Sequence, residues 1–108
     1  MIIETFYFNL GSAANADDVR IAAVAEKLKS QPATATVIGH TCDTPIVSAE
    51  AKKLFGTNEK LAEERAKLIL EKLKSAGVAT PMLLISRGEM APVSTNKSIN
   101  RRVEIHLD

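Results

Sequence analysis

The stretch from Asn58 to Ser75 limits the folds open to this chain more than any other. Ala62, Ala66, Ile69, Leu70 and Leu73 recur at helical spacing and form a single apolar stripe. Asn58 supplies an N-cap, Glu63 and Lys67 lie one turn apart as a surface pair, and Gly77 marks the stop. A helix with one apolar stripe needs a partner layer, and the strand-like segments supply it.

Ile2 to Phe8 is β-branched and aromatic, with Ile2, Phe6 and Phe8 on one face, and ends at the turn-forming Asn9-Leu10-Gly11-Ser12. Asn15 or Asp17 then opens a helix carrying Ile21, Val24, Ala25 and Leu28, with Lys27 and Lys29 in its last turn and Pro32 as its stop. Thr34 to Gly39 reads as a short buried strand. Ser48 caps a short helix with Ala51, Leu54 and Phe55, closed by Gly56. Met82 to Ser86 is a continuous apolar run, the pattern of a strand buried on both faces. A loop with Gly88, Pro92 and Asn96 follows it. In the last strand Val103, Ile105 and Leu107 alternate inward with Arg102, Glu104 and His106 outward. The order is β-α-β-(short α)-α-β-β, a two-layer α/β (α+β) sandwich.

Composition narrows the functional classes. A chain of 108 residues, 45% hydrophobic and 25% charged, suits one ordinary globular domain spanning 1–108. A net charge of +1 argues against nucleic-acid binding by bulk electrostatics, and the few aromatics give no base-stacking platform beyond Phe6-Tyr7-Phe8. One cysteine forms no internal disulfide, and no stretch approaches the roughly 20 apolar residues of a membrane span. Met1-Ile2-Ile3 is too short for a signal-peptide core. A cytosolic protein and a module excised from a longer exported chain both fit.

Chemistry-bearing residues gather in Gly39-His40-Thr41-Cys42-Asp43-Thr44-Pro45. A structural zinc site needs four ligands, usually as two separated pairs, and only His106 remains as a further histidine, so no metal is expected. A thiol nucleophile with His40 as base shares a face on extended backbone, yet no oxyanion-hole motif accompanies it, and no catalysis is expected. An inert, buried Cys42 is the simpler reading.

The same segment also fits a wider pattern. Gly-His-Thr-x-Asp at a strand end, Asn58-x-x-Leu61-x-x-x-Arg65-Ala66 on a helix, and Asn100-Arg101-Arg102-Val103-Glu104 near the terminus resemble the OmpA-like C-terminal domain. That family includes peptidoglycan-associated lipoproteins and the flagellar motor protein MotB. Phe6 to Ala13 and Gly88-Glu89 with Pro92 are similar to further family motifs, so the resemblance spans nearly the whole chain. With the element order, it implies a mixed four-stranded sheet with two main helices on one face.

The resemblance also implies a function. It points to non-catalytic peptidoglycan binding through the diaminopimelate of the stem peptide, without a cofactor. The location would be the periplasm, with a tether to an outer-membrane protein or lipoprotein, and envelope proteins as further partners. The alternative is the same fold as a scaffold with lost or altered wall binding. The implied ligand-binding residues are Asp43, Asn58, Arg65, His40, Thr41, Asn9 and Arg101. An acid suits the ligand's ammonium and an arginine fork its carboxylate, while His40 orients the loop.

Departures from the family pattern cluster around this site. Cys42 stands where the family has its Asp, with Asp43 one residue later; a bulge is needed for Asp43 to fill the slot. Ile46 replaces a Gly, Ala62 a Ser and Asn9 an Asp, and residues 44–57 form an extended insertion.

Overall fold

The computed structural model describes residues 2–13, 17–30, 34–44, 46, 48–89, 93 and 95–107. Its elements are β1 (Ile2–Tyr7), α1 (Asp18–Ser30), β2 (Ala35–His40), α2 (Ala49–Leu54), α3 (Asn58–Ser75), β3 (Met82–Gly88), α4 (Lys97–Asn100) and β4 (Arg102–Leu107). The strands form one mixed sheet in the order β1-β4-β2-β3, with β4 antiparallel to both neighbours and β2 parallel to β3.

The helices α1 and α3 cover one face. The whole α3 stripe is buried there, together with Ile21, Val24, Ala25 and Leu28 of α1 and Phe6, Val37, Val103 and Ile105 of the sheet. Gly39 allows α3 to lie directly on β2. A Cβ at that position would sit 1.9 Å from the Ala62 carbonyl oxygen, so no other residue fits without moving the helix. This close approach sets Arg65, one turn further along α3, beside the end of β2.

Several boundaries differ from the sequence reading, each for a local reason. Thr57, not Asn58, caps α3, its hydroxyl accepting from Lys60 N at 3.1 Å. Asp17, one of the two caps expected for α1, accepts from Arg20 N in its first turn; Asn15 and Pro32 lie outside the described residues. Glu63 pairs with Lys60 instead of Lys67. The Ser48-capped helix is present, its hydroxyl accepting from Ala51 N. An irregularity between Ile2 and Glu4 shifts the β1 register and leaves Ile2 half exposed. The loop after β3 contains α4, capped by Asn96, while Pro92 lies outside the described residues.

Two strands differ more deeply. The apolar run of β3 is not buried on both faces; it is an edge strand, and Leu83, Leu84 and Ile85 are exposed. The outward-phased Arg102 and Glu104 of β4 are buried, because β4 is central and the two side chains bond one another at 2.7 Å.

Candidate functional site

A cavity of about 130 Å³ opens where the ends of β1, β2 and α4 meet the start of α3. Leu10, Ile46, Ala51 and Leu61 give it an apolar wall. Its polar groups are Thr41, Cys42, Thr44, Ser48 and Asn58, and its cations are Arg65 and Arg101. No carboxylate lines it among the described residues.

Arg65 defines the site. It is fully buried, stacks over the Phe8 ring at 5.3 Å, and donates to three backbone carbonyls: Nε to Ser12 (2.8 Å), Nη1 to His40 (3.0 Å) and Nη2 to Asn9 (3.0 Å). These bonds occupy three of its five N–H groups and tie the segment after β1 to the end of β2. Burial lowers its pKa to about 10, with Cys42 opposing the fall and Arg101 adding to it, so it stays charged at neutral pH. No carboxylate pairs with it among the described residues. A buried cation without a counter-ion is costly, and an anion entering the cavity would relieve that cost.

Arg101 donates through Nε to Phe8 O at 3.0 Å and lies beside Cys42. Burial alone would raise the Cys42 pKa; hydrogen bonds with Thr44 and Arg101 and the charge of Arg101 outweigh it and hold the thiol below its ordinary value. Thr41 is buried against the cavity, and its hydroxyl has no hydrogen-bond partner among the described residues. Asn58 donates through Nδ2 to Thr44 O (3.2 Å) and to Glu89 Oε2 (3.1 Å), closing the rim.

The structure thus gathers Thr41, Asn58, Arg65 and Arg101 around one cavity and leaves three expected residues outside its lining. Asp43 points to solvent with 71% of its side chain exposed and pairs with Lys97 at 2.9 Å, which lowers its pKa. Cys42 occupies the inward position instead. Asn9 contributes only its carbonyl, to Arg65. The His40 ring lies on the far face of the sheet, 3.5 Å from Glu104 Oε1, and among the described residues neither ring nitrogen makes a hydrogen bond. Its pKa falls to about 4, first through burial and then through Arg102, with Glu104 opposing. The sequence reading missed Lys97 and the apolar wall. Ile46, standing at a family glycine position, was the one signal for that wall. Among the described residues no three His, Cys, Asp or Glu side chains cluster as a metal site.

A mixed sheet backed by two helices, with an arginine-lined cavity at the strand ends, defines the class. A model of the OmpA family matches residues 5–106, and the chain belongs to that family. Solved structures agree. A crystal form of the C-terminal domain of Helicobacter pylori MotB is 30% identical with a TM-score of 0.87, covering 98% of this chain and 86% of that one. The cell wall anchor of the type VI secretion system (T6SS) from Pseudomonas aeruginosa is 27% identical with a TM-score of 0.75, covering 94% and 76%. The peptidoglycan-associated lipoprotein from Burkholderia pseudomallei, at 24% identity and a TM-score of 0.79 over 96% and 89%, shares the fold. No curated protein sequence matches the chain significantly. No helix among the described residues is long and apolar enough to cross a membrane.

Proposed function

We propose that this domain binds peptidoglycan without catalysis, holding the diaminopimelate end of a stem peptide in the cavity beside Arg65. The observation that carries this reading is a fully buried guanidinium, without a carboxylate partner among the described residues, at the wall of an open cavity. A ligand carboxylate would meet Arg65 and Arg101, aided by the Thr41 hydroxyl and the Asn58 amide. Asp43, at the rim, is the acid offered to the ligand's ammonium once Lys97 is displaced. The domain would act in the periplasm as a wall tether for an outer-membrane protein or lipoprotein. The family match and the neighbours named as a cell wall anchor and a peptidoglycan-associated lipoprotein support this role.

The test is co-sedimentation with purified sacculi rich in diaminopimelate. Wild type is expected in the pellet, and Arg101→Gln, checked for folding, is expected largely in the supernatant. Wild type remaining in the supernatant would reject wall binding. The scaffold reading, favoured by the outward position of Asp43, would then take its place.

A further inference from the structure

We infer that the cavity recognises its ligand through a carboxylate and that the ligand's ammonium contributes little, so that stem-peptide ends bearing a carboxylate without a neighbouring ammonium are accepted as readily as diaminopimelate. This rests on the wall-binding reading and specifies its ligand class. The residue responsible is Cys42.

The cavity carries two fixed positive charges, Arg65 and Arg101, and no fixed negative one among the described residues. A zwitterionic amino-acid end brings one charge that this lining attracts and one that it repels. An ammonium placed inside would give up its water for neutral groups and two cations, with nothing to balance the loss. Of the described groups lining the cavity only the Cys42 thiol could become an anion, and the charge of Arg101 beside it would match any thiolate; the Glu89 carboxylate at the rim already accepts from Asn58 Nδ2 at 3.1 Å. Thr41 offers a neutral hydroxyl, buried and without a partner among the described residues, suited to a carboxylate oxygen.

The acid next to Cys42 does not compensate. Asp43 and Lys97 are both largely solvent-exposed, at 71% and 55%, and already paired, with Lys97 Nζ also 3.4 Å from Thr44 Oγ1. An ammonium reaching Asp43 exchanges one screened surface pair for another, which changes affinity by less than about fivefold. The apolar wall of Leu10, Ile46, Ala51 and Leu61 suits the methylene or methyl part of a ligand and discriminates little by charge.

Three small probes separate the contributions. meso-Diaminopimelate carries both charges; pimelate has the same seven-carbon chain with its carboxylates and no ammonium; 1,5-diaminopentane has the two ammonium groups and no carboxylate. Titrated calorimetrically into the intact domain, pimelate is expected to bind within about fivefold of meso-diaminopimelate. 1,5-Diaminopentane is expected not to bind. Cys42→Asp installs a charge at the inward position. It is expected to move the ratio of diaminopimelate to pimelate affinity toward diaminopimelate by about tenfold or more, the worth of one charge-assisted hydrogen bond. If that variant does not fold, the wild-type ratio decides alone. A wild-type preference for diaminopimelate above about tenfold would overturn the inference, as would binding of 1,5-diaminopentane or an unchanged ratio in a folded Cys42→Asp. Sedimentation with sacculi run in parallel keeps the two claims apart. Wild type that pellets but prefers diaminopimelate strongly, or that binds neither dicarboxylate, sinks this inference and leaves wall binding standing. Wild type that does not pellet sinks the wall-binding reading itself.

Discussion

The two buried arginines of this domain sit in opposite electrostatic situations. Arg102, on the face away from the helices, bonds Glu104 at 2.7 Å, and Glu104 also meets His106 at 2.9 Å. Arg65, on the helix side at the strand ends, is even more buried, yet its partners are backbone carbonyls and the Phe8 ring. The first cation is neutralised within the fold. The second holds the fold together and keeps its charge uncompensated beside a cavity. A buried charge that is already paired has little to offer a ligand; one that is bonded but not neutralised is poised for an anion.

The largest effect expected from breaking this comparison is on stability. Arg65→Ala strands the carbonyls of Asn9, Ser12 and His40 and should cost roughly 3 kcal/mol or more in urea unfolding. Arg65→Lys should recover only part of it, because a point charge cannot reach three divergent carbonyls as the planar fork does. Arg102→Ala should cost a similar roughly 3 kcal/mol by leaving Glu104 buried with only the two histidines, His106 and His40, beside it. The contrast lies in rescue. Arg102→Met combined with Glu104→Leu should regain most of that loss, since both charges go together. Among the described residues Arg65 has no carboxylate partner that could be removed in compensation. Packing changes bear on both regions alike: Ile69→Ala should cost about 2–5 kcal/mol through a cavity under the sheet. A cost below about 0.5 kcal/mol would contradict the burial of the α3 stripe.

Acid should separate the two regions next. Burial and Arg102 lower the His40 pKa to about 4, and the native Glu104 pKa also lies below its ordinary value: burial opposes this, and His106 and Arg102 prevail. Above pH ~6.5 His40 is neutral in both folded and unfolded chains, so its contribution is complete there. As pH falls toward 4 the unfolded chain takes up a proton that the native site refuses, and roughly 2–3 kcal/mol of stability is lost; Glu104 acts in the same direction at lower pH. Arg65 stays charged throughout and adds no pH dependence in this window. A stability profile flat from pH 7 to 4 would show that the His40 environment is wrongly described.

The smallest effects belong to the rim. Asp43→Asn should weaken sacculus binding by less than about fivefold, and Cys42→Ser should hardly change it, because the one removes a screened surface charge and the other keeps a small polar group. A large loss with Asp43→Asn would mean that the loop rearranges to bring this acid inward.

How much of this was legible depended on whether the signal was local. The α3 stripe is read from one helix's own periodicity, and every residue assigned to it is buried. The run in β3 tells of a strand but not of its place in the sheet, because edge and centre are decided by pairing with β2, far away in sequence. The alternation of β4 gave the faces correctly, yet not that the outward charges would be covered by a central position. At the site, the motif spacing pointed to Arg65 and Arg101, but not to the structural bonds of Arg65, whose carbonyl acceptors lie 25, 53 and 56 residues away. The direction of Asp43 followed from the inward turn of Cys42, which residue types alone left open.

The most direct test of an uncompensated cation at a ligand cavity is to watch the arginines themselves. In NMR spectra of 15N-labelled protein, the guanidinium Nε–H resonances of Arg65, Arg101 and Arg102 report on anion contact at each. Titration with a diaminopimelate-containing stem peptide is expected to shift Arg65 and Arg101 together, with Arg102 unmoved beside Glu104. Saturable binding that leaves Arg65 and Arg101 unchanged while other resonances shift would place the ligand elsewhere and contradict the site described for this domain.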